Sequence, residues 1–191
     1  MKKAGIICII LFVCQFSLYA QENIPALDKS PMDMSYYPAN FPMGKVQETA
    51  TEPLVARIIY SRPSMNGRKI FGGLVEYGKV WRLGANEATE IEFFKDVYIN
   101  KIKVKKGRYT LYAIPTEEKW TLIINKVTDT WGSFGYDIKK DICRIDVPLQ
   151  NLPTPTEACT IYFEKSNSLI LLQILWENSK ITLPISLNKS N

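Results

Sequence analysis

Up to Pro53 the apolar residues follow no sustained period; beyond it they recur at every second position. Alternation over four to eight residues marks a strand with one face buried. Leu54 to Ser61 reads as the first strand. Thr89, Ile91 and Phe93 then share one face of a second, with Glu90, Glu92 and Phe94 on the other. Val97 to Ile99 and Ile102 to Val104 flank Asn100-Lys101, a two-residue hairpin whose turn demands positive φ, which Asn tolerates. Arg108 to Ile114 and Trp120 to Asn125 continue the meander across a turn at Pro115 to Lys119. Ile142 to Val147, Ala158 to Glu164, Leu169 to Trp176 and Lys180 to Leu187 complete it. The third of these is nearly all apolar and so central in its sheet, and Glu177-Asn178-Ser179 is the turn before the last.

About nine or ten strands, no helix of three turns and frequent turn signals predict an antiparallel β-sandwich, with a closed barrel as the alternative. The predicted domain covers residues 54–188. Residues 21–53 carry Pro25, Pro31, Pro38, Pro42 and Pro53 and read as an irregular arm, because each proline removes a backbone donor and restricts its predecessor. Tyr36, Tyr37 and Phe41 are the residues available to pin it to the domain.

Residues 1–20 have the layout of a secretory signal peptide: Lys2 and Lys3, an uncharged apolar run from Ala4 to Leu18, then Ala20 before the expected cut. The run is short for a membrane span. Lipid attachment at Cys14 is disfavoured because Leu11-Phe12-Val13 lacks a small residue before it. The expectation is export to the periplasm or beyond. Cleavage removes two of the 24 basic residues and none of the 19 acidic ones, leaving a mildly basic chain without a basic stripe. Nucleic-acid binding therefore has no electrostatic footprint.

Cys143 and Cys159 remain after cleavage, in an oxidising setting. Each shares a strand face with apolar residues, so both should point inward, either bridged or as buried thiols.

The polar chemistry is concentrated in three loops. The first, Arg62 to Lys79, carries Arg62, Ser64, Arg68 and Lys69, with Asn66-Gly67 and Gly72-Gly73 as turn residues. Arg82 to Ala88, RLGANEA, adds Arg82, Asn86 and Glu87. Lys126 to Asp141 holds Asp129, Trp131, Tyr136 and Asp137. The chain has no histidine, which removes the usual zinc sites and Ser-His-Asp catalysis. GRKIFGG lacks the Gly-Lys-Ser/Thr ending of a phosphate loop, and Ser64 with Lys69 is an unsupported nucleophile pair. Asp129, Asp137 and Asp141 offer hard oxygen ligands for calcium, but their spacing matches no EF-hand. Glu87, Glu90, Asp129 and Asp137 could supply a hydrolytic carboxylate pair.

The run YSRPSMNGRKIFGGLVEYGKVWRLGANEATEIEF, followed by GRYTLYAIPTEEKWTLIINKVTDTWG, resembles the bacterial family catalogued as domain of unknown function 2911, frequent in exported proteins of Bacteroidetes-type bacteria. The resemblance spans roughly Val46 to Leu187. It implies a secreted or periplasmic β-rich domain and no particular reaction. Family members tend to have Gly where Lys101 stands and Thr where Leu83 follows Arg82.

Binding survives these exclusions better than catalysis. Arg62, Arg68 and Arg82, with Lys69, are forks and charges for carboxylate, phosphate or sulfate oxygens. Asn86 and Glu87 could hydrogen-bond a polyol, with Trp81, Trp131 or Trp176 as a flat face for a sugar ring. The competing reading is a loop-locking network, including an internal Arg82–Glu87 ion pair. The expected function is thus a non-catalytic binding module of the cell envelope for an anionic or carbohydrate ligand, needing no cofactor. A carboxylate-dependent hydrolase and a structural or interaction domain are the alternatives. The expected partner is a small molecule or glycan, with no nucleic acid and no membrane span once the leader is removed.

Overall fold

The structure is a computed structural model that describes residues 24–189; residues 1–20, expected to be a signal peptide and carrying Cys8 and Cys14, lie outside the described residues. The elements in chain order are β1 (Met32–Tyr37), α1 (Phe41–Val46), β2 (Ala56–Ser61), β3 (Glu90–Phe93), β4 (Val97–Ile99) and β5 (Ile102–Val104). They continue with β6 (Gly107–Pro115), β7 (Lys119–Asn125), β8 (Asp141–Pro148), β9 (Gln150–Ser166) and β10 (Leu169–Ser186). They form two antiparallel sheets, β1-β2-β3-β6-β7-β8 and β5-β4-β10-β9. The first ends at β1 and β8 and the second at β5 and β9, so the fold is a sandwich and not a closed barrel.

The two-residue period explains the core. Ile58 and Tyr60, Ile91 and Phe93, Leu111 and Ala113, and Trp120, Leu122 and Ile124 are buried from the larger sheet. Val97, Ile99, Ile161, Phe163, Leu172, Ile174, Leu183 and Ile185 meet them from the smaller one. β6 and β7 are buried on their outer face as well, where Ala88, Tyr112 and Ile123 form a separate cluster beneath Val80, Ile114 and Tyr136. The third loop supplies that cover. Tyr136 packs edge-on to Tyr112 at 5.3 Å, and Asn125 binds the loop's far end through Asp137 O and Asp141 Oδ1.

Two elements differ from the sequence reading. The arm is not irregular throughout: Met32–Tyr37 is an edge strand, registered on β2 from Met32↔Ser61 to Tyr37↔Ala56. Its prolines, Pro31 and Pro38, bracket a proline-free run, and Pro42 lies in the first turn of α1, where its missing N–H costs nothing. Tyr37 anchors the strand, buried edge-on against Phe163. The second difference is at Glu177. β10 is extended on both sides of it, yet Glu177 has φ 53 and the β9 register shifts there. Thr182 Oγ1 donates to Gln173 Oε1 at 2.6 Å. Nine residues of straight strand would separate the two by about 30 Å. The chain therefore doubles back around Glu177 and Asn178, where the turn was expected, without leaving extended geometry for more than a residue.

Cys143 and Cys159 are free, buried thiols, one in each sheet. Burial pushes Cys143 up to about 11 and Cys159 up to about 12, so neither is a nucleophile near neutral pH.

Candidate functional site

The first loop is tied down at both ends by backbone and carboxylate contacts. Pro63 O accepts from Cys159 N, and Met65 N donates to Glu157 O, so the loop begins as an extra partner for β9. Asn66 (φ 48) and Gly67 (φ 70) turn the chain, and Arg68 N closes the turn on Met65 O. Further on, the Glu177 carboxylate accepts from both Ile70 N and Phe71 N. Gly73 is required by close approach: a Cβ there would lie 2.6 Å from Lys69 O. The tight turn it permits carries Leu74 and Val75 back toward the second loop.

That second loop hangs from β6. Trp81 N and O pair with Ala113, which sends the indole into the core. There it stacks on Trp176 (5.8 Å, interplanar 19°) and meets Trp120 and Phe71 edge-on. Thr89 closes the loop, donating through N to Arg82 O and through Oγ1 to Leu83 O. Leu83 is fully buried, so the residue beside Arg82 belongs to the core.

The loops place the three arginines in three situations. Arg62 is a strut: Nη1 binds Asp33 Oδ2 at 2.9 Å, Nε binds Cys159 O, and Nη2 binds Thr160 Oγ1, joining β1, β2 and β9. Arg68 folds back on its own turn, with Nε on Met65 O and Nη2 on Ser64 O. Arg82 makes no salt bridge among the described residues, and its Nε is buried without a hydrogen-bond partner. Desolvation lowers its pKa from the ordinary value, with no carboxylate opposing the shift.

Arg68 and Arg82 line one cleft of about 270 Å³, walled by Leu74, Val75, Trp81 and Trp176. Arg62 and Glu87 are not among its lining residues, so the expected set converges only in part. Lys69 is exposed and also lies outside the lining. Asn86 (φ 56) spends its amide on Asp28 Oδ2 and its carbonyl on Gly132 N. Glu87 faces Trp131 across a short backbone pairing and borders a second cavity of about 170 Å³ with Glu90 and Asp129. The expected Arg82–Glu87 ion pair does not form among the described residues, because Arg82 and Glu87 border different cavities.

The acids are committed elsewhere. Arg108 bridges Glu90 and Asp129, and Glu90 also accepts from Asp129 N. Asp137 caps the 3-10 turn Ile138–Lys140 through Lys139 N, and Asp141 accepts from Asn125 and Tyr136. No group of three metal-binding side chains gathers among the described residues. Of the tryptophans considered as sugar platforms, Trp81 and Trp176 are core residues, while Trp131 is 60% exposed. Ser30, Leu74 and Val75 were missed in the sequence as cleft residues. Ser30 arrives with the arm, and the apolar pair looks like ordinary loop filler until the Gly73 turn brings it round.

Fold and cleft together define a two-sheet sandwich carrying a cationic, aromatic-walled recess at one end of its loops. The chain belongs to the family of proteins of unknown function DUF2911, whose model matches residues 42–185. No curated protein and no solved structure matches it. Among the described residues no helix is long and apolar enough to cross a membrane.

Proposed function

We propose that this is an exported, non-catalytic binding module that takes a small anionic ligand in the cleft between Arg68 and Arg82. The observation that carries the reading is the buried Arg82 Nε with no acceptor. A guanidinium held half out of water without a counter-charge is destabilised. An anion entering the cleft supplies a counter-charge to the guanidinium and charge-assisted bonds to its Nη groups, whose paired N–H donors suit two oxygens of one group. Arg68 adds a second positive charge at the same recess. Export rests on the leader-like residues 1–20.

The test is thermal unfolding of the mature chain with millimolar carboxylate, sulfate or phosphate at constant ionic strength. A ligand of the native state raises the midpoint by mass action. At least one anion should raise it, and Arg82→Met should abolish the rise. Equal midpoints in all anions for the native protein would sink the proposal.

A carbohydrate reading has one observation in its favour, the exposed Trp131 indole beside Glu87. It predicts that Trp131→Ala, and not Arg82→Met, removes binding to a glycan panel.

A further inference from the structure

We infer, on the reading that this cleft takes an anion, that its ligand is a monocarboxylate on a compact apolar or single-ring body. Inorganic phosphate, sulfate and sugar acids fit it less well. Three features of the recess lead there.

The donor supply is the first. Arg68 has already spent Nε and Nη2 on Met65 and Ser64 carbonyls. Both indole N–H groups at the wall are also taken, Trp81 Nε1 by Gly84 O and Trp176 Nε1 by Glu157 O. What is left is Arg82 Nη1 and Nη2, Arg68 Nη1 and the Ser30 hydroxyl, Arg82 Nε being shut away from the cleft. The paired Nη1 and Nη2 of one guanidinium match the two oxygens of a carboxylate. A phosphate or sulfate would bring further oxygens into a site with few donors for them, and each buried acceptor left unpaired is costly.

The wall is the second feature. The apolar part of the lining comes from Leu74, which is exposed, and from the edges of the buried Pro63, Val75, Trp81 and Trp176, with no free indole donor among them. The hydroxyls of a sugar acid would lose water there without replacement. A ring or branched alkyl body loses nothing and gains apolar burial.

Size is the third. A dry apolar cavity of about 150 Å³ holds benzene. The recess measures about 270 Å³, room for one ring and a short carboxylate arm, and below the usual range for larger organic ligands.

The experiment is isothermal calorimetry of the mature chain with phenylacetate, acetate, benzyl alcohol and inorganic phosphate at fixed ionic strength. Phenylacetate should bind at least tenfold more tightly than each of the other three. Arg82→Met should weaken phenylacetate at least tenfold, with the fold checked by circular dichroism. Leu74→Glu, at a position 52% exposed and so safe for folding, should weaken it at least fivefold by placing a carboxylate at the mouth. Phosphate or acetate binding as tightly as phenylacetate would overturn the carboxylate-on-apolar-body inference and leave the anion reading standing. Benzyl alcohol binding as tightly as phenylacetate, or no binding of any anion, would overturn both. If Arg82→Met does not fold, Leu74→Glu alone decides, and unchanged affinity there counts against the site.

Discussion

Lys101→Gly should stabilise the protein, although it removes a side chain and adds no contact. Asn100 and Lys101 form the β4–β5 turn with φ 47 and 67, so both central residues are left-handed. Asn reaches this region readily, whereas for an ordinary L-residue it costs about 1–2 kcal/mol. Lys101 is exposed and makes no salt bridge among the described residues, so little is lost with its side chain. Glycine removes the strain but adds unfolded-chain entropy, an offset of about 0.5–1 kcal/mol. The net expectation is a gain of about 0.5–1 kcal/mol. The hairpin transmits it to the core because Val97, Ile99 and Val104 are fully buried on its two strands. Urea unfolding followed by tryptophan fluorescence would show a higher midpoint at unchanged slope, and the melting temperature should rise by about 1–4 °C. A midpoint equal to or below that of the native protein would refute the strain argument.

Arg62 and Arg82 should respond oppositely to the same change. Arg62→Met breaks a three-way strut whose ion pair is partly exposed, costing about 1–3 kcal/mol in chemical unfolding. Arg82→Met without ligand should be neutral or slightly stabilising, since it removes a half-buried guanidinium whose Nε has no partner among the described residues; a loss above about 2 kcal/mol would show an unseen partner. Glu177→Gln weakens the carboxylate that holds Ile70 N and Phe71 N, so their amide hydrogen exchange should accelerate while β6 and β7 stay protected. Stability should also fall at alkaline pH. Cys143 and Cys159 are raised to about 11 and about 12, and Tyr60 and Tyr136 to about 12, chiefly by burial. Each is neutral when folded and ionises first in the unfolded chain. Their contribution is therefore intact below about pH 9 and lost progressively up to about pH 12. Urea midpoints at pH 8 and pH 10 would show the fall, and Cys143→Ala/Cys159→Ala should reduce it.

The strands after Pro53 were legible because a pleated chain with one buried face writes its period directly into the residues. The Asn100-Lys101 turn was legible for a similar local reason, as φ demand selects residue type. β1 was harder to see. Its register depends on β2 across the eighteen residues 38–55, and the prolines that mark its ends look like evidence against any strand. The candidate site was legible only as a set of residue types. Arg62, Arg68 and Arg82 read alike in sequence, but Arg62 meets Cys159 O and Thr160 only after β9 returns beside β2, and Arg68 meets carbonyls of its own turn.

The sequence by itself determined the antiparallel all-β class, the inward placement of both cysteines and the confinement of polar chemistry to three loops. These follow from local periodicity and from which side chains can pay for burial. The choice of an open sandwich over a closed barrel came from the strand order. Tertiary structure alone decided that Arg82 is the guanidinium left without a partner. Pairing is a property of the acceptors that arrive from elsewhere in the chain: carbonyls and carboxylates reach Arg62, Arg68 and Arg108, and among the described residues none reaches Arg82 Nε.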